Sequence, residues 1–317
     1  MSQLSSLASQ PGVDHVLKPR PRDIGGMRVE RILPSARGEM VGPFIFMDRL
    51  GPTLFGPGAA EDVLPHPHIG LATVTYLFDG RMTHRDSLGS EQVIVPGAVN
   101  LMSAGRGIVH SERHDGQVKA QGGALSGVQT WLALPGGAQT GGEESAPAFH
   151  HVSAEDLPVV VDKGIYARVV LGAAYGVRAP VPLASATLFV EARLEAGACL
   201  PLDTWEEERA VFPLEGEVEV DGVACAPNTL IVVRQGLATQ VRASTPARLL
   251  LLGGVSMEGP RHIWWNFVSS DPEQLKAAAQ DWRAGRFPLI PMDHDSFIPA
   301  PPDGPGRPRA QNPRTAG

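Results

Sequence analysis

The stretch DVLPHPHIGLATVTY begins at Asp62 and sets His66 and His68 one residue apart, around Pro67. On a strand, alternate side chains share a face, so both imidazoles aim the same way. Pro67 has no N–H to give and suits a strand start or a sheet edge. A second pair follows in GRGIVHSERHDG, where His110 and Glu112 are also two apart. If neighbouring strands carry both pairs inward, three imidazoles and one carboxylate converge. Imidazole with carboxylate suits Fe, Mn, Ni, Cu or Zn, and the lack of thiolate disfavours Fe–S clusters. Four protein ligands on an octahedral ion leave two positions for a substrate oxygen and dioxygen or water. The competing readings are a closed tetrahedral zinc and histidines without a metal.

The elements that must position these residues are strands. Gly (36) and Pro (29) are spread through the chain and punctuate short β-branched runs such as VTYLF, EQVIV, VQTWLAL, TLFVEARL and TLIVV. That pattern predicts an all-β sandwich or barrel. The layout repeats: FDGRMTHRDSLGSEQVIVPGAVNLMSAG in the first half is echoed by LEGEVEVDGVACAPNTLIVVRQG in the second. The expected organisation is a flexible N-terminus (1–14), a first barrel (15–135), a Gly-rich linker (136–150), a second barrel (151–298) and a disordered tail (299–317). One helix is expected at about 272–284, with Ser270 or Asp271 as cap and Pro272 in its first turn.

Composition narrows the function. Lys plus Arg is 27 against 34 for Asp plus Glu, a formal net charge of -7. That argues against direct nucleic-acid binding, which needs a concentrated basic face. Two cysteines, Cys199 and Cys225, are too few for a disulfide framework or a thiolate zinc site. The start, MSQLSSLASQPG, lacks the charged region and apolar run of a signal peptide. No run approaches the length of a membrane span. A cytoplasmic protein is expected.

The segment HPHIGLATVTYLFDGRMTHRDSLGSEQVIVPGAVNLMSAGRGIVHSER closely resembles the pirin family of the cupin superfamily. The resemblance runs on through GVQTWLALP and resumes at RHIWWNFVSSDPEQLKAAAQDWRAGRFP, covering most of residues 15 to 298. It implies two face-to-face cupin (jelly-roll) barrels with a short C-terminal helix. It also implies one divalent metal ion in the first barrel, iron before Mn, Ni, Cu or Zn, held by His66, His68, His110 and Glu112. Some bacterial pirins show quercetin 2,3-dioxygenase activity. Others are described as regulators that bind transcription factors or metabolic enzymes, with the iron redox state as the switch. Ala72 stands where many pirins carry Glu, and its expected effect is on hydrogen bonding around the metal and so on the tuning of the metal.

The second half lacks the histidines and reads as a metal-free copy. Pro201 and Asp203 are expected near the place of the His-x-His pair. Asp203, Glu206, Glu207 and Glu208 read as a solvated acidic patch. Around the metal, His84 is either a supporting partner or a satisfied strand histidine. His114 reads as a pocket-mouth or surface-loop residue. Arg106 is expected to orient an anionic substrate or to pin the turn before the ligand strand. Gln129 and Trp131 share a face, so both are pocket-lining or core residues, and Trp264 and Trp265 read as packing residues. The leading reading is a quercetinase-type dioxygenase acting on a flavonol-like aromatic substrate and O2, with Glu112 as ligand and general base. The alternative is a non-enzymatic, iron-dependent, redox-sensing regulator with a protein partner.

Overall fold

In the run Leu71–Asp79, both faces are apolar. Leu71 packs with Trp131 and Phe46 on one side, while Ala72, Val74 and Tyr76 join the main core on the other. A strand with two apolar faces must lie in a sheet covered on both sides. The computed structural model shows this arrangement. It describes residues 12–24, 27–137, 141–202, 207–306 and 308–314.

Each half of the chain forms a seven-stranded sheet facing a four-stranded one, the cupin arrangement. In the first half, the large sheet runs in the order Ala148–Val152, Val99–Ser103, Leu71–Asp79, Gly123–Ala133, Phe44–Phe55, Met27–Leu33, Arg20–Ile24. Its small sheet runs Val63–His68, Ile108–Arg113, Met82–Asp86, Glu91–Ile94. The second half repeats both sheets strand for strand. Its large sheet begins Val13–Leu17, Leu230–Val233, Glu208–Glu215, Ala247–Gly254, and its small sheet is Cys199–Leu202, Thr239–Ala243, Val218–Val220, Val223–Cys225.

The large sheets pack face to face through one apolar core that draws Val74, Val99 and Leu132 from the first and Phe189, Val211 and Leu250 from the second. Inside it the buried Tyr76 hydroxyl donates to Glu191 at 2.5 Å, and Arg248 Nε donates to the same carboxylate at 2.8 Å. A buried charge is tolerated there because it is paired and hydrogen-bonded.

Strand pairing departs from the expected boundaries. The halves exchange edge strands: Val13–Leu17 closes the second sheet by pairing with Leu230–Val233, and Ala148–Val152 closes the first by pairing with Val99–Ser103. Residues 1–11 of the expected flexible terminus lie outside the described residues. The Gly-rich linker is anchored by Glu143, buried against the Arg261 guanidinium at 3.0 Å and accepting the Ser270 N–H at 2.8 Å. Residues 308–314 of the expected disordered tail are held against the fold. Arg309–Gln311 pairs with Arg261–Trp264, Gln311 is fully buried, and Arg314 reaches Asp14 at 2.8 Å. Backbone pairing and one ion pair supply the order that side-chain hydrophobicity does not.

The helix forms at Pro272–Arg283, with Asp271 capping the Glu273 N–H at 2.9 Å and Pro272 in the first turn, where its missing N–H costs nothing. Leu275, Ala278 and Ala279 bury its inner face beneath Phe267. No helix of the described residues is long and apolar enough to cross a membrane.

Candidate metal centre

Pairing between Val63–His68 and Ile108–Arg113 builds the site. His66 stands directly opposite His110, and His68 opposite Ile108. The register then shifts between His110 and Glu112. Such a bulge re-aims the side chains beyond it. The three imidazoles are buried, and one ring nitrogen of each lies within 4.8 Å of the others. Nε2 of His68 and Nε2 of His110 are 3.1 Å apart.

The outer partners decide which nitrogen carries the proton. His66 Nδ1 meets the Leu64 carbonyl at 2.8 Å, and His68 Nδ1 meets the Asn266 carbonyl at 2.9 Å. A carbonyl only accepts, so both Nδ1 atoms are N–H donors and both Nε2 atoms present lone pairs. His110 is set by a relay. Asp86 is fully buried and accepts from His84 Nε2 at 3.0 Å, while His84 Nδ1 faces His110 Nδ1 at 3.4 Å. With the His84 proton on Nε2, its Nδ1 accepts from His110 Nδ1, which leaves His110 Nε2 bare. Burial raises the Asp86 carboxyl, but the His84 and Ser90 hydrogen bonds outweigh it and hold the group below its ordinary range.

Burial pushes His66 down to about 4, and it holds His68 and His110 well below the ordinary imidazole value. Three neutral imidazoles with converging lone pairs repel one another, and a divalent cation between them removes that repulsion. The donor set therefore fits a metal ion of the imidazole-preferring group.

Glu112 is buried in the same cavity, but its carboxylate is not among the atoms that close around the imidazoles. Its Oε1 accepts from Gln129 Nε2. Burial raises Glu112 to about 7, with the Gln129 hydrogen bond opposing the rise. The cavity has a volume of about 690 Å³ and is lined by His66, Glu112, Gln129, Trp131, Phe46 and Asn266, among others. Trp131 stacks on Phe46 at 3.9 Å and meets His68 edge-on at 5.3 Å. Arg31 lies over the Phe46 ring at 4.4 Å and grips Asp48 with two nitrogens, at 2.8 and 2.7 Å.

The remaining sequence candidates divide. His84 supports His110 and stacks on Phe149 at 4.3 Å. His114 packs on Phe55 at 5.0 Å outside the cavity lining, and its Nδ1 finds no hydrogen-bond partner among the described residues. Arg106 is exposed and lines a different cavity, so it does not orient a substrate at the imidazoles. Ala72 likewise faces that second cavity, because Thr73 and Trp131, one residue along each strand, take the inner face. The absence of a Glu at this position therefore leaves the hydrogen bonding around the imidazoles untouched, contrary to expectation. Glu208 is fully buried rather than solvated: its carboxylate accepts the Gly42 N–H at 2.8 Å and the Ser256 hydroxyl. Glu207 is exposed, as read, while Asp203 and Glu206 lie outside the described residues.

Sequence reading missed Asp86, Asn266 and Phe46. Asp86 sits two residues after His84, a spacing that puts both on one strand face. Asn266 is 198 residues from His68 and left no local signal. One trace of its approach is Gly70, at φ 67°, where a Cβ would lie 1.9 Å from the Val268 carbonyl.

Two cupin sandwiches, with converging imidazoles in the first alone among the described residues, define a bicupin with one candidate metal centre. Residues 26–132 match the pirin family and residues 189–288 the pirin C-terminal cupin domain. The chain belongs to the pirin family. A pirin-like protein of Caulobacter vibrioides is 44% identical over 292 residues, covering 91% of this chain and 99% of the relative. The solved structure of a quercetin 2,3-dioxygenase from Acinetobacter baumannii superposes with a TM-score of 0.84 at 33% identity, covering 94% of this chain and 97% of that one. A bacterial pirin from Escherichia coli, solved with nickel(II), shares the fold at 16% identity and a TM-score of 0.59, over 76% of this chain and 99% of that one.

Proposed function

We propose that this protein is a mononuclear metal dioxygenase of quercetin 2,3-dioxygenase type, which opens the heterocycle of a flavonol with O2 and releases carbon monoxide. The observation that carries the reading is a buried carboxyl raised to about 7 beside three neutral imidazoles, in an aromatic-walled cavity. The likeness to the Acinetobacter enzyme over 94% of the chain supports it.

His66, His68 and His110 would hold one divalent ion, iron first, with Glu112 as the fourth ligand. When bound, that ion supplies Lewis acidity and a meeting place for substrate oxygen and dioxygen. Glu112, buried in the cavity beside His66, takes the proton of the flavonol 3-hydroxyl as general base. Gln129 donates to Glu112 and fixes the carboxylate that receives the proton. The flat wall of Trp131 on Phe46 orients a planar aromatic substrate and excludes water from it. The cavity volume falls within the range of about 300–1,000 Å³ common for small-molecule sites. Free Cys199 and Cys225 fit a reducing compartment, the cytoplasm.

The test is anaerobic purification, reconstitution with iron(II), and a flavonol assay that detects carbon monoxide. Metal-dependent carbon monoxide release, lost in His66→Ala, is expected. Bound metal with no turnover across a flavonol panel would overturn the reading and favour the redox-sensing regulator.

A further inference from the structure

A second cavity, of about 540 Å³, lies between the two halves, on the face of the first large sheet opposite the imidazoles. Its floor has a structural cause. Ala72 pairs with Ser103, and Ser103 pairs with Ala148, so three small side chains stand side by side across three strands. Larger residues flank the row: Leu132 beside Ala72, and Leu101 one step along from Ser103. The row is a trough in a sheet that elsewhere packs tightly on the second half. The loop carrying Leu183 and Ala184, which leads into the second sheet, forms the roof.

The charges around this trough are unequal. Glu144 is occupied, its carboxylate accepting from Gln274 Nε2 at 2.6 Å. The Arg106 guanidinium has no hydrogen bond, ion pair or ring contact with any described residue. Its backbone, by contrast, is fixed. Arg106 N–H donates to the Ser145 carbonyl at 3.0 Å, and the Gly107 N–H closes the turn on Ala104 at 2.9 Å. Gly105 makes this turn possible: at φ 48°, a Cβ there would lie 2.2 Å from the Ser145 carbonyl oxygen. A rigid turn thus presents a free guanidinium at one end of an apolar trough.

We infer that this trough is a second ligand site, which takes a small amphipathic monocarboxylate, its apolar body lying over Ala72 and Leu101 and its acid group on Arg106. A guanidinium favours a carboxylate through charge-assisted, two-pronged hydrogen bonding. The small floor residues leave room for an aryl or short alkyl body. The site is separated from the metal cavity by the thickness of one sheet, since Leu132 lines one and Trp131 the other.

The test uses metal-loaded full-length protein, titrated calorimetrically with 3-phenylpropionate and with its uncharged amide. One saturable site for the acid is expected, with the amide about tenfold weaker, the worth of one hydrogen bond to a charged group. Arg106→Gln should weaken the acid about tenfold and leave the amide unchanged, with metal content intact. Ala184→Trp, on the exposed roof, should abolish binding of both, and Ala148→Phe on the floor gives the same readout if the roof variant does not fold. Four results would each overturn the inference: no saturable binding, equal affinity for acid and amide, binding indifferent to the roof and floor variants, or binding lost in His66→Ala, which would place the acid at the imidazoles.

Discussion

Around their shared proline the two small sheets keep the same register and are opposite in chemistry, and only the first carries the bulge after His110. In the first, His66-Pro67-His68 lies against His110-Val109-Ile108. In the second, Leu200-Pro201-Leu202 lies against Val241-Gln240-Thr239. The proline keeps its place, and the three imidazoles become Leu200, Leu202 and Val241, all buried. The substitution extends outward. His84 and Asp86 pair with Glu112 and His110, whereas Val218 and Val220 pair with Ala243 and Val241. The candidate metal centre is thus an imidazole set with its relay, and the second half carries hydrocarbon at all of these positions. The reason is energetic: a buried imidazole or carboxylate without its partners is costly, so a partial replacement is worse than either complete form.

The largest effect expected on this contrast is removal of a ligand. His68→Ala should lower metal affinity by more than about 100-fold, beyond the range for outer partners, as read by metal content after dialysis. Glu112→Gln should cut carbon monoxide release by about 10²–10⁴-fold while metal content changes much less. Equal loss of both would make Glu112 a ligand alone. Next in size is the relay: Asp86→Asn should weaken metal binding about 10–100-fold, because His84 and with it His110 lose their fixed tautomer. If affinity is unchanged, the relay is only packing.

A stability readout comes from a partial graft of the second half onto the first, His66→Leu, His68→Leu and His110→Val together. Metal binding should vanish, and the Tm of the metal-free variant should fall below that of metal-free wild type, because His84 and the Leu64 and Asn266 carbonyls lose their buried partners while the relay residues stay in place. Acid sharpens this comparison. A folded-state imidazole lowered from 6.5 to about 4 means that the unfolded chain binds more protons between those values. Metal-free wild type should therefore lose stability as pH falls from 6.5 toward 4, and the graft should lose less. Denaturant midpoints across that window read the difference.

The sequence made part of this site legible. Period-two spacing around Pro67 revealed that His66 and His68 share a face, and the same spacing joined His110 to Glu112. It did not reveal the bulge after His110, since one extra backbone residue leaves no mark on residue type. Reading the second copy without its register placed the His-x-His equivalent at Pro201 and Asp203, where strand pairing puts Leu200 and Leu202. Arg106 and Ala72 lie close to the ligands in sequence; sheet parity sends Ala72 to the far face, and the turn from Ala104 to Gly107 carries Arg106 there. Glu208 reads as one of three consecutive acidic residues, and its burial depends on Gly42 and Ser256, contacts too distant for composition to show. Arg309–Gln311 is held for the same reason, through pairing with Arg261–Trp264.

The most direct test of the central claim is metal stoichiometry with X-ray absorption at the metal edge, on anaerobically purified protein. One ion per chain with three imidazole ligands, lost in His68→Ala and in the triple graft, is the expected result. An ion retained in the graft, or a coordination shell without imidazole, would contradict it.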